Sequence, residues 1–212
     1  MYTPAQFKVE DTAEAHALMR ARPFATLVTN GSDGLTATHL PTVLKTDNAG
    51  ALGRIECHVA RPNAHWKTFA PDTDALMIFQ GPEAYIRPGW YPSKAEHGKA
   101  VPTWNYAVVH AYGRLEAMQD PRWLLEHVSE LTRQQETPYE LPWATSDAPE
   151  SYLAAMARGI VGLRLSITRL EAKSKMSQNR EPRDRAGVME GLARRGKGED
   201  AEIAALVGKA GQ

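Results

Sequence analysis

Apolar and polar residues alternate along most of the first 120 positions, the period of strands with one face buried. The runs FATLVTN and LTATHLPTVLK flank a turn, NGSDG, whose Asn, Asp and Gly supply positive-φ positions, so an antiparallel hairpin is predicted. A second turn, TDNAG, leads into ALGRIECHVA and makes three consecutive strands, a meander. ALMIFQGPEAYIRP reads as two more strands, bent at Gly81 and Pro82. In VPTWNYAVVHAYG the alternation sets Trp104, Tyr106, Val108, His110 and Tyr112 on one face, with Asn105, Ala107, Val109 and Ala111 on the other. IVGLRLSITRLEA is a last alternating strand that closes the set.

Helical spacing interrupts this pattern at its edges. DTAEAHALMRARP has Asp11 as a cap, Glu14 three residues later and Pro23 as a stop. RPNAHWKTFA has Asn63 as N-cap and places His65, Trp66 and Phe69 on one side of a short helix. In DPRWLLEHVSELTRQQE, Asp120 caps, Pro121 takes the first helical position, and Trp123, Leu124, His127, Val128 and Leu131 form a stripe. SYLAAMARG and two segments of the C-terminal tail, divided by RGKGE, complete the helices. GWYPSKAEHGKAVP reads as a long exposed loop able to serve as a lid, and TPYELPWATSDAPE as a connector. About seven antiparallel strands without a strand-helix-strand rhythm predict a mainly-β barrel with peripheral helices. Residues 1–172 form the barrel domain with inserted helices, and 173–212 a basic segment and helical tail packing on it.

Composition narrows the function classes. A chain of 212 residues suits one domain with appendages, and no apolar run approaches the length of a membrane span. A lone Cys57 excludes an internal disulfide, and a polar start without a secretory pattern points to the cytoplasm. The formal net charge of +0 removes the global electrostatic argument for nucleic acid. Charge is unevenly spread: 130–150 is acidic, whereas 158–185 carries eight Arg or Lys against Glu171, Glu181 and Asp184. His39, His58, His65 and His110 lack zinc-motif spacing, and no nucleophile elbow or phosphate-binding glycine fingerprint is present.

Four stretches carry candidate chemistry. HVARPNAHW sets Arg61 at a strand end before the Asn63 cap, where free amides and a guanidinium suit a phosphate; plain capping is the simpler reading. In TATHLPTVL, Pro41 cannot donate to a ladder and marks an edge strand, which either protects the sheet or offers backbone groups to a planar ligand. Tyr85, Trp90, Tyr91, Trp104, Tyr106 and Tyr112 offer flat surfaces for a core, an interface or a wet site. KSKMSQNREPRDR groups Lys173, Lys175, Arg180, Arg183 and Arg185 around Gln178 and Asn179, a solvated face or a phosphate contact.

In order along the chain, YTPAQF, THLP, HVARPNAHW, FQGPEAYIRPGWY, VPTWNYAVVHAYG and KMSQNR resemble the PaiB family of FMN-binding negative transcriptional regulators. The resemblance implies an FMN-binding split β-barrel of the pyridoxamine-phosphate-oxidase type, in a homodimer with flavin sites at the subunit interface. It implies FMN contacts from Thr38, His39, Leu40 and Pro41 and from His58, Val59, Ala60, Arg61 and Asn63. Trp104, Asn105 and Tyr106 would join them from the interface strand, with Lys175, Gln178, Asn179 and Arg180 from the basic segment. The bulky face of Trp104 to Tyr112 would then pack the interface or wall the flavin. Direct DNA reading fits poorly, because the chain is neutral and its strongest predicted helix carries Glu126, Glu130 and Glu136. An FMN-dependent oxidoreductase, a heme protein using His39, His58 or His110, and a DNA-binding module built on 173–185 are the alternatives.

Overall fold

In the computed structural model, which describes residues 1–46 and 52–210, the predicted hairpin is β2 (Phe24–Gly31) and β3 (Gly34–Pro41). Gly34, at φ 83°, takes the left-handed conformation next to the two-residue connection Ser32–Asp33. The TDNAG turn lies, apart from Thr46, outside the described residues. The other strands are β1 (Lys8–Val9), β4 (Val43–Lys45), β5 (Arg54–Ala60), β6 (Ala75–Ile86), β7 (Thr103–Met118) and β8 (Ile160–Lys175). Their hydrogen-bonded order is β3-β2-β6-β7-β8-β5-β4, with β1 added on β8. The sheet is mainly antiparallel and carries peripheral helices, the mainly-β class expected from the sequence. The helices are α1 (Thr12–Ala21), α2 (His65–Thr68), α3 (Ser93–His97), α4 (Pro121–Glu136), α5 (Glu150–Arg158), α6 (Pro182–Arg195) and α7 (Asp200–Lys209). None of them is long and apolar enough to cross a membrane.

Contacts divide the chain into two compact units, and β6, β7 and β8 contribute segments to both. The expected boundary at 172 falls inside β8. The larger unit comprises 16–79 and 110–170. Its core is the inward face of the strands, with Leu27, Ile55, Met77, Phe79, Leu163 and Leu165 all under 2% exposed. On β7, Ala111 and Gly113 bring the backbone of β8 close: a Cβ on Gly113 would lie 1.9 Å from the Ser166 carbonyl oxygen. The bulky face predicted for this strand is half-exposed at His110 and Tyr112, and the small face is buried.

The smaller unit comprises 1–15, 80–109 and 171–212. Here α6 and α7 pack on each other around Leu192, Ile203 and Val207. Gly191 of α6 leaves room for Trp90, since a Cβ there would stand 2.3 Å from the indole. The Arg195 guanidinium lies 5.0 Å over the same ring and forks onto Asp200.

Three predicted elements come out differently. ALMIFQGPEAYIRP is one strand rather than two, but its buried face switches from odd to even positions at Gly81 and Pro82, so the expected bend is a local change of phase within β6. GWYPSKAEHGKAVP is not a free lid. It holds α3, buries Tyr91 and Ser93, and is fastened by Asp184, whose carboxylate accepts from the Ser93 amide at 3.1 Å and hydroxyl at 2.7 Å. KSKMSQNREPRDR, expected to be irregular, begins as the end of β8 and ends as the start of α6. Partners distant in sequence order both segments, which local periodicity cannot register.

Gly113→Ala forces a methyl into the Ser166 backbone, and we expect it to lower the free energy of unfolding by about 1–3 kcal/mol, the usual cost of overpacking. A urea titration checks this; an unchanged midpoint contradicts the close β7–β8 approach.

Candidate functional site

In the larger unit, β3 ends the strand order, so one of its edges carries no ladder partner among the described residues. It runs near β5 without pairing with it, and α2 lies beside it. Thr38 points toward α2, where its hydroxyl meets His65 Nδ1 at 2.7 Å, and the other ring nitrogen meets the Thr29 hydroxyl at 2.8 Å. His65 is 1% exposed, and burial lowers its pKa, so a neutral imidazole fixes the Thr38 hydroxyl from behind. On the opposite face of β3, His39 is exposed and bonded to the Thr26 hydroxyl at 2.9 Å. Leu40 is a core residue, and Pro41 closes the strand.

At the end of β5, Val59 also belongs to the core, Ala60 is exposed, and the chain turns into α2. The Asn63 side chain accepts from the His65 amide at 2.9 Å, the capping expected of it one residue before the helical boundary. With four residues, α2 carries little dipole to bind an anion, which removes one support for a phosphate there. The Arg61 guanidinium donates to the carbonyls of Arg158 at 2.7 Å and Ile160 at 2.9 Å and to Gln119 at 3.0 Å. Two of its five donors thus tie the start of β8 to the end of β5, and a third reaches Gln119 just after β7.

His58 belongs to the outward face of β5. Its Nδ1 lies 3.1 Å from His127 Nε2 on α4, one ring donating and the other accepting. His127 stacks on Trp123 at 5.3 Å and 9°, and Trp123 lies over Gly162, where a Cβ would stand 2.0 Å from the indole. Gly162 faces His58 across the β5–β8 ladder, so a missing side chain on β8 admits the tryptophan that orders the histidine pair. His127 is 2% exposed, and burial, aided by the charges of His58 and Lys45, pushes its pKa down to about 4. Burial also lowers that of His58. Both imidazoles are neutral at pH 7. Cys57, on the inward face, is pushed up to about 12 by burial and is no nucleophile.

The remaining expected residues lie in the smaller unit. Asn105 is fully buried and exchanges hydrogen bonds with the Ser177 hydroxyl at 3.0 and 3.2 Å, bracing a turn in which Ser177 has φ 62°. Lys175 Nζ donates to the Thr103 hydroxyl at 2.5 Å, and burial lowers its pKa. Gln178 folds back on its own turn, donating to the Ser174 carbonyl and accepting from the Met176 amide, both at 2.6 Å. Arg180 lies 4.7 Å over Tyr91, and Asn179 is exposed. Trp104, 50% exposed, meets Tyr85 edge to face at 5.9 Å, and the Lys173 ammonium lies 5.0 Å over Tyr106.

Thr38 and Asn63 therefore gather around His65, and Asn105 with Lys175 around the Ser177 turn, whereas Leu40 and Val59 serve the core. Sequence reasoning missed Glu56, His127 and Arg164. Their signal is the alternation of Arg54, Glu56 and His58 along β5, which puts three polar side chains on one face.

Residues 1–169 match the family described as "Putative FMN-binding domain". The chain is 34% identical over 194 residues to the protease synthase and sporulation protein PAI 2 of Bacillus subtilis, covering 91% of this chain and 89% of that protein. An uncharacterised protein of Emericella nidulans is 30% identical over 246 residues, covering 100% of this chain and 98% of its own length. Among solved structures, a conserved hypothetical protein of Mycobacterium tuberculosis superposes with a TM-score of 0.59 at 15% identity, covering 85% of this chain and 94% of that one.

The histidine pair makes stability depend on pH. His127 titrates at about 4 in the folded chain and near 6.5 when unfolded, so below pH 6.5 the unfolded chain takes up the proton first. Its contribution is complete above pH 6.5 and is lost as pH falls toward 4, at up to about 1.4 kcal/mol per pH unit. We expect His127→Gln to flatten the unfolding free energy across this window in urea titrations; an identical slope in both proteins contradicts the assignment.

Proposed function

Because the chain belongs to the PaiB family of FMN-binding split barrels, its cofactor is FMN, and we propose that the flavin lies along the unpaired edge of β3 in a homodimer. The observation that carries this reading is the Thr38 hydroxyl, held by the buried His65 on a strand whose second edge has no ladder partner among the described residues. An edge strand offers amide and carbonyl groups to the polar rim of a planar ring, and a fixed hydroxyl adds one directed contact without loss of rotamer freedom. Pro41 ends the same strand, Asn63 caps α2 beside it, Ala60 is exposed at the end of β5, His39 lies on the other face of β3, and Arg61 has donors beyond the three already engaged. Bound FMN supplies electron transfer.

Trp104 and Tyr106 in the smaller unit, and His110 and Tyr112 in the larger, are surfaces suited to the second subunit, with Asn105, Lys175, Gln178, Asn179 and Arg180 bordering the former. We read the protein as a cytoplasmic flavin-dependent regulator that acts through a partner rather than by reading DNA, because α4 exposes Glu126 and the chain is neutral. Tight, salt-sensitive binding of promoter DNA by the purified protein would contradict it.

The test is an FMN titration of the purified protein followed by flavin fluorescence and light scattering. We expect saturable quenching by a dimer, and a loss of about 1.5–3 kcal/mol of binding in Arg61→Ala, the usual worth of a charge-assisted bond. Melting of the variant without FMN is recorded alongside, since Arg61 also ties β5 to β8. No FMN binding by the unaltered protein overturns the reading; unchanged affinity in the variant removes Arg61 from the site.

A further inference from the structure

Under α4, on the outward face of β5 and β8, lies a cavity of about 300 Å³ that contains none of the residues assigned to the flavin. A water occupies about 30 Å³ of liquid, so this space suits a small molecule. Its wall is prearranged. Trp123 stacks on His127, the Arg164 guanidinium lies 5.6 Å from the indole centre, and His127 is fixed from behind by His58.

Two buried polar atoms among the lining residues have no hydrogen-bond partner among the described residues: His127 Nδ1 and Arg164 Nε. Arg164 Nε stands 3.5 Å from Glu56, within ion-pair range but without a hydrogen bond, while Arg54 donates to the same Glu56 oxygen at 3.0 Å. Buried polar atoms left unpaired forfeit the hydrogen bonds they make in water, and a ligand that satisfies both restores them.

Which charges are already paired selects the kind of ligand. Glu126 is engaged by Arg122 at 3.0 Å and Glu130 by Arg133 at 2.6 Å, both from outside the lining, and Lys45 approaches Glu130 at 3.4 Å. Within the lining three cations (Lys45, Arg54, Arg164) balance three carboxylates (Glu56, Glu126, Glu130), and Arg122 and Arg133 pair two of those carboxylates from outside it. A cation would find acids already paired, and the described residues hold no group of three His, Cys, Asp or Glu arranged for a metal. An anion would find a guanidinium Nε–H that makes no hydrogen bond and, with His58 donating to His127 Nε2, an imidazole Nδ1–H.

We propose that this cavity is a binding site for a small oxyanion, a phosphate or a carboxylate, held by Arg164 and His127 with Lys45 adding positive charge. The site is separate from the flavin. It lies on the face of β5 that α4 covers, so occupancy would fasten the helix to the sheet.

The experiment uses the full-length protein, ¹⁵N-labelled, with the His127 ring signals followed by NMR during titration with inorganic phosphate or with succinate, and with chloride at matched ionic strength as control. We expect saturable shifts of His127 with one or both oxyanions, and affinity falling about tenfold or more in Arg164→Gln and severalfold in Lys45→Gln. A response to phosphate alone assigns a phosphoryl ligand; a response to succinate alone assigns a carboxylate. Shifts equal to those in chloride, or none in the folded protein, mean that the cavity holds water only and overturn the proposal. Loss of the phosphate response on saturation with FMN would assign the cavity to the cofactor's own phosphate and overturn the separate site, whereas failure to bind FMN at all leaves the oxyanion result standing.

Discussion

The antiparallel ladder from Arg54↔Ser166 to Ala60↔Ile160 is the constraint on which the larger unit depends. Strand geometry gives each partner two faces, and here they have opposite characters. Inward, Ile55, Cys57 and Val59 meet Val161, Leu163 and Leu165 to build the core. Outward, Glu56 stands opposite Arg164 and His58 opposite Gly162, so the same seven pairs lay down a polar layer with a gap in it. A slip of one residue would send the charges into the core and the aliphatic side chains under α4, which is why this register is strongly specified.

α4 completes that polar layer. Its start is set locally by the Asp120 cap, which accepts from the Trp123 amide at 2.8 Å, and by Pro121 at the first helical position. Its docking is set by Trp123 entering the space over Gly162, with Leu124 adding a buried aliphatic contact. A buried His127 bonded to a half-buried His58 and a shared carboxylate beneath a helix cost desolvation, which the stacking on Trp123 and the Arg54–Glu56 and His58–His127 bonds offset. The ladder also links the two candidate regions: β5 turns through Arg61 into α2, where His65 positions Thr38, so both regions are built on one strand.

In the smaller unit the organising interactions are aromatic and ionic. Trp90 is clasped between the glycines of α6 and the Arg195 guanidinium, and Asp184 gathers the amide and hydroxyl of Ser93. A segment rich in charge and turn formers is thereby ordered without apolar periodicity of its own. The Asn105–Ser177 exchange does the same for the turn after β8, whose strained Ser177 needs a partner from outside the turn to hold it.

The sequence alone determined the β2–β3 hairpin, the long α4 with its cap, the alternation of β7 and the FMN-binding split-barrel family, because each rests on local turn chemistry, a period or a run of motif residues. It also marked Asn63 as the cap before α2 and a bend at Gly81 and Pro82, where the structure has one strand that changes phase. What the tertiary structure decided is where side chains spend their hydrogen bonds. Arg61, which by motif suits a phosphate, ties two strand ends; the exposed-looking loop at Trp90 to Ser93 is fastened by residues 91 positions away; and His127, one stripe residue among several by spacing, becomes the partner of His58. The physical reason is that periodicity reports which face a residue occupies, whereas a hydrogen bond or a cavity depends on what a distant segment brings to that face.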